Sequence, residues 1–152
     1  MRLLSLFAIS LFCSIAAFAH KTLLHCGQLI DVKSGKILSA KTVTIEKNKI
    51  TEVRNGYLQP NKGDEVIDLK NKTVMPGLID MHVHLESETR KGNVADKFIL
   101  NPADIAFESL RYAKSTLQAG FTTVRDLGGS GVNNALKNAI ARGQVEGPRV
   151  FT

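Results

Sequence analysis

The chain is 152 residues long and carries 20 Lys plus Arg against 14 Asp plus Glu, a formal net charge of +6. With 43% apolar and 22% charged residues, 12 Gly, 4 Pro and no Trp, its composition excludes disorder, collagen and a disulfide-stapled miniprotein. The length suits one modest domain with a real core and falls short of the roughly 200–250 residues that a closed (β/α)8 barrel needs.

Met1-Arg2 is a short basic start, and Leu3 to Phe18 follow without a charge. Ala17-Phe18-Ala19 places small residues at the two positions that a signal peptidase reads. The pattern predicts a signal peptide over 1–19, cleavage before His20 and an exported protein, periplasmic or secreted. The run is shorter than the ~20 residues of a usual membrane-spanning helix, and no second one follows, so no span is expected after cleavage. An uncleaved N-terminal anchor is the alternative. Cys13 leaves with the run, and Cys26 remains as a single thiol, expected to pack as a small hydrophobe. Lys33, Lys36, Lys41 and Lys47 are scattered singly without interleaved aromatics, which fits a solvated surface and not a nucleic-acid groove.

From Lys21 to Lys72 the pattern is short β segments between polar turns, a small β domain over 20–72. Strands are expected over Thr22–Cys26, Gln28–Val32, Thr42–Glu46, Ile50–Val53 and Glu65–Leu69. A turn is expected at Lys33-Ser34-Gly35-Lys36, and a tight hairpin at Lys47-Asn48-Lys49, where Asn48 tolerates the left-handed conformation. Val43 and Ile45 alternate with Thr42, Thr44 and Glu46, predicting one apolar and one polar face.

From Thr73 the pattern turns to alternating strands and helices. Val74–Leu85 is nearly uncharged and broken early by Pro76-Gly77; such continuity predicts a strand buried on both faces, as in a parallel sheet. Asn101-Pro102 opens a helix, with Asn as N-cap, Pro in the first turn and Asp104 at the positive end. Ala106, Leu110, Ala113 and Leu117 form its buried stripe and Gly120 ends it. Phe121–Leu127 is the next strand, Val132–Arg142 the next helix, and Arg149–Thr152 the start of a third strand.

The chemistry concentrates in Asp80-Met81-His82-Val83-His84. Residues two apart on a strand share a face, so His82 and His84 project side by side, ~6–7 Å apart along the chain. Two imidazoles on one rigid strand suit a shared metal ion. They lie at the strand's C-terminal end, where (β/α)8 barrels build active sites. Asp80 has the same parity one step deeper, and would orient a ligand or be a paired buried acid. The bland alternative is a pair of hydrogen-bonded structural histidines.

Val74-Met75-Pro76-Gly77-Leu78-Ile79-Asp80-Met81-His82-Val83-His84 resembles the first barrel strand of the amidohydrolase superfamily of metal-dependent hydrolases. Ala119-Gly120-Phe121-Thr122-Thr123-Val124-Arg125-Asp126-Leu127-Gly128-Gly129 is similar to its second, in the imidazolonepropionase-like form that includes exported Xaa-Pro dipeptidases. The small β domain resembles the one that precedes the barrel. The resemblance implies that His82 and His84 bind one or two divalent metals, usually zinc. Later strands would supply a carboxylatable Lys, two more His and an Asp that handles the proton of the metal-bound water. It further implies a small-molecule or dipeptide substrate.

No histidine follows His84, and a catalytic zinc normally needs three protein ligands plus water. His20 and His25 are poorly placed in sequence to complete the set; Glu86 and Glu88 could offer oxygens but have no ligand role in the family. Gly128-Gly129-Ser130-Gly131 invites a phosphate-loop reading, yet lacks the Gly-Lys-Ser/Thr that would carry it, so a tight strand-to-helix turn is expected. Asp126, at the end of its strand with the parity of Val124, is a further site candidate, with a structural hydrogen-bonded acid as the alternative.

The expected fold is therefore α/β: the N-terminal part of a (β/α)8 barrel over 73–152, with two βα units and the start of a third strand, preceded by a small β-sandwich-like domain. The expected function is metal-dependent hydrolysis of amide or peptide C–N bonds, in a portion inactive alone, with self-association left open. The alternative is an exported, non-catalytic remnant or binding protein.

Overall fold

The computed structural model describes residues 20–90 and 93–152. The signal segment expected over Met1–Ala19 lies outside the described residues. The chain divides into two compact units between Met75 and Pro76.

The first unit is a four-stranded sheet of β1 (Lys21–Asp31), β2 (Lys36–Glu46), β3 (Lys49–Asn55) and β4 (Glu65–Val74), in the order β3-β2-β1-β4. β1 runs antiparallel to β2 and parallel to β4. The two short strands expected over 22–32 are one strand, because Gly27 absorbs the irregularity as a bulge against β4. A Cβ on Gly27 would lie 2.0 Å from the Lys70 carbonyl oxygen, so only glycine lets the two backbones approach. Lys47 and Asn48 both take positive φ, +47° and +65°, the requirement of the type I′ turn that joins β2 to β3. β4 extends through Val74, so the apolar run expected as a strand from Val74 is divided between the units.

The alternation expected on β2 is overruled. Thr42, Val43 and Thr44 are all buried. The segment after β3 bonds to Thr42. Thr42 Oγ1 donates to the Gly56 carbonyl at 2.7 Å and accepts the Leu58 N–H at 3.1 Å. His25, also buried, donates from Nε2 to the Leu58 carbonyl at 3.0 Å. These bonds satisfy polar groups that burial would otherwise penalise. Cys26 is fully buried and free, and burial pushes its thiol pKa up.

The second unit is a parallel sheet of β5 (Leu78–Val83), β6 (Phe121–Asp126) and β7 (Arg149–Phe151), in that order. Helices α1 (Asn93–Ile99) and α2 (Pro102–Gln118) connect β5 to β6, and α3 (Val132–Ala141) connects β6 to β7. α2 starts on the expected residues with a full capping box. Asn101 Oδ1 accepts the Ala103 and Asp104 N–H groups while Asp104 accepts the Asn101 N–H. α1 has no counterpart among the elements expected from sequence. Leu85, Ala113, Val124, Leu136 and Val150 form the buried core, with Val83, Leu110 and Ile140 packed against it.

The strand expected to be buried on both faces is not. Leu78, Ile79 and Met81 on β5 are 41%, 62% and 55% exposed. β5 is an edge strand of this sheet, so apolar side chains suited to a two-sided core face solvent over the described residues.

Candidate metal centre

Val83 packs towards the helices, so strand alternation sends His82 to the opposite face of the sheet. His84 lies one residue beyond β5. The two rings stand edge to face, with centroids 5.5 Å apart and planes at 74°. Both residues are exposed. Asp80 Oδ1 accepts the His82 backbone N–H at 2.9 Å, closing a turn-like bond that stiffens the strand just before the pair.

The His84 ring is oriented from behind. Its Nδ1 lies 3.2 Å from the Gly128 carbonyl oxygen. A carbonyl only accepts, so Nδ1 carries the proton and Nε2 is left with its lone pair free. This is how the second nitrogen of a metal-binding imidazole is normally held. His82 makes no ring hydrogen bond among the described residues.

Asp126 takes a part different from that of an open ligand. Its side chain is fully buried and lies 4.0 Å from His84 Nδ1. Oδ2 accepts the Leu85 N–H at 3.1 Å, and Oδ1 accepts the Gly128 N–H at 3.2 Å. One carboxylate thus ties the residue after His84 to the residue whose carbonyl orients it. Arg125, of opposite parity, donates from Nε to the Met81 carbonyl at 2.9 Å. That bond sits where the β5–β6 register shifts between Asp80 and Val83.

Glu86 was legible only as a spare oxygen donor. It instead closes the glycine-rich turn: Oε2 accepts the Ser130 N–H and Oε1 the Asn133 N–H, each at 2.6 Å. Gly131, the N-cap of α3, has no side chain to offer, so a carboxylate from the β5 loop serves in its place. Carboxylates of the chain already hold the Gly128, Ser130 and Asn133 amides, which favours the turn reading for Gly128–Gly131. A cleft of about 470 Å3 opens beside His84, with Glu86, Glu88, Arg90, Tyr112 and Ser130 in its wall.

Two exposed imidazoles, one with its tautomer set, suit a divalent ion as its first two ligands. They do not complete a site: among the described residues no group of three or more His, Cys, Asp or Glu side chains converges. His20 and His25 are engaged with the first unit's own loop, through the Gly63 and Leu58 carbonyls.

The parallel strand–helix order, with the pair at a strand's carboxyl end, is that of barrel-type domains, which carry their chemistry on the βα loops. The chain belongs to the amidohydrolase family, whose model matches residues 73–152. It is 33% identical over 81 residues to imidazolonepropionase from Vibrio campbellii, covering 53% of this chain and 18% of that protein. It is 34% identical over 104 residues to dihydroorotase from Elusimicrobium minutum, covering 68% and 20%. Among solved structures it is similar to an Xaa-Pro dipeptidase with methionine bound in the active site. The TM-score is 0.80 at 39% identity, over 86% of this chain and 32% of that one. A prolidase complexed with N-methylphosphonate-L-proline gives a TM-score of 0.74 at 34% identity, over 86% and 31%. The chain thus spans about a fifth of these curated relatives and about a third of the solved chains.

Proposed function

We propose that this chain contributes the first two metal ligands, His82 and His84, to an exported metal-dependent hydrolase of amide or peptide C–N bonds. Xaa-Pro dipeptides are the substrate class. The reading rests above all on the His82–His84 pair at the carboxyl end of β5, with His84 held through Nδ1 so that Nε2 stays free. The dipeptide class is supported by the Xaa-Pro dipeptidase and prolidase structures to which the chain is similar.

A bound divalent ion, zinc in this reading, would supply Lewis-acid polarisation of the scissile carbonyl. The chain's own part is to fix geometry. β5 sets the spacing of the two imidazoles, Gly128 sets the tautomer of His84, and Asp126 holds the two strand-end loops together. Two imidazoles leave a catalytic zinc one protein ligand short. In this reading the 152 residues alone hydrolyse nothing.

The test is metal content and turnover of a dipeptide panel, Xaa-Pro substrates included, for the native protein. Metal-dependent cleavage lost in a His82→Ala, His84→Ala double variant supports the reading. Full metal content and full activity in that variant would overturn it.

A further inference from the structure

We propose that Glu86 is a positioning residue for His84, acting through the glycine-rich turn rather than by touching metal or substrate. The inference rests on reading His84 as a metal ligand, and it concerns what keeps that ligand's free nitrogen aimed.

The Gly128 carbonyl that accepts from His84 Nδ1 belongs to a turn with few anchors of its own. Asp126 holds it at one end, through the Gly128 N–H. Glu86 holds it at the other, through the Ser130 and Asn133 N–H groups at 2.6 Å. Without Glu86, the three residues between Gly128 and α3 lose their far anchor, and Gly129 and Gly131 offer no side chain to replace it. The turn is built around this carboxylate: a Cβ on Gly129 would lie 2.4 Å from Glu86 Oε1. Gly131 adopts φ +103°, a left-handed conformation that favours glycine at the N-cap of α3. Glu86 and His84 are two residues apart on one loop. That loop therefore grips the opposite turn twice, once by the ring and once by the carboxylate, and the second grip fixes the carbonyl used by the first.

If Glu86 only capped α3, removing it would fray that helix and leave His84 unchanged. If it positions His84, removing it frees Gly128, and the neutral imidazole relaxes towards the Nε2–H form, with its Nε2 lone pair lost to metal.

The experiment is 15N–1H NMR of the histidine side chains in the metal-free native protein, at alkaline pH. Glu86→Ala, Glu86→Gln and Asn138→Gly are compared with the parent. Asn138→Gly weakens α3 at an exposed position without touching the turn. The expected result is a protonated Nδ1 on His84 in the parent, a shift towards protonated Nε2 in Glu86→Ala, a smaller shift in Glu86→Gln, and none in Asn138→Gly. His82 should stay unchanged throughout. Titration with Co2+ should then show binding weakened about 10- to 100-fold in Glu86→Ala, the usual effect of losing a ligand's outer partner. An unchanged His84 tautomer in Glu86→Ala would overturn the proposal, as would an equal shift in Asn138→Gly. A shifted tautomer with Co2+ binding as tight as in the parent would uphold the positioning and remove His84 from the metal reading instead.

Discussion

Asp126 and His84 meet across the ends of two parallel strands. The buried carboxylate lies 4.0 Å from the ring nitrogen, yet spends both its oxygens on backbone N–H groups on either side of that ring. The carboxylate therefore organises the loops around a candidate ligand and does not itself face the open side of the sheet. Its removal and the removal of the histidines should have opposite signatures.

Replacing His82 or His84 by Ala should remove metal and leave folding nearly intact. Both residues are exposed, and substitutions at such surface sites usually change stability by no more than about 0.5 kcal/mol. Metal analysis together with a thermal melt checks this. A large fall in melting temperature with metal retained would show the pair to be structural.

Asp126→Ala should do the reverse to stability. It leaves the buried Leu85 N–H without its acceptor, at a cost of about 1–3 kcal/mol, and also frees the Gly128 N–H, which water can reach. Asp126→Asn keeps one acceptor oxygen and should lose roughly half as much. Urea denaturation of the two variants side by side tests the order.

Gly27→Ala should destabilise the first unit by at least the ~1–3 kcal/mol typical of overpacking, because the added Cβ meets a backbone carbonyl. A melting temperature equal to that of the parent would mean that β1 and β4 do not approach as described.

Acid should loosen the first unit through Asp64. Backbone N–H bonds from Asn61 and then Lys21 hold its carboxyl below the usual value. A carboxylate with a depressed folded pKa contributes its stability above the unfolded value of about 3.9. That contribution is lost as the pH falls through the lower folded value. Denaturation midpoints measured from about pH 6 down to about pH 2 should fall less steeply in Asp64→Asn than in the parent. Parallel curves would remove Asp64 from the account.

Export should remove residues 1–19, since the uncharged run ends in Ala-Phe-Ala. Mass spectrometry of the periplasmic or secreted protein should find His20 at the N-terminus. A mature chain still carrying Met1 would favour the uncleaved anchor.

What the sequence determined by itself is what depends on neighbours along the chain. The capping box of Asn101 and Asp104 closes within three residues, and the Lys47-Asn48 turn needs only two positive φ angles. The spacing of His82 and His84 follows from strand periodicity alone. Tertiary structure decided whatever depends on partners far off in sequence. Glu86 accepts from the Ser130 and Asn133 amides, 44 and 47 positions away, and the second lies in the first turn of α3, where no acidic residue of the helix offers a stand-in. Thr42 and Thr44 look solvent-facing by alternation, yet both are buried, and Gly56 and Leu58 take up the Thr42 hydroxyl. Asp126 reads as a site acid from its place at a strand end, and its actual work follows from which N–H groups the paired strand brings within reach. Local patterns set backbone conformation, because sterics and turn chemistry act over a few residues. The fate of a polar side chain is set by which unsatisfied groups the fold carries to it, and that is written in no window of the sequence.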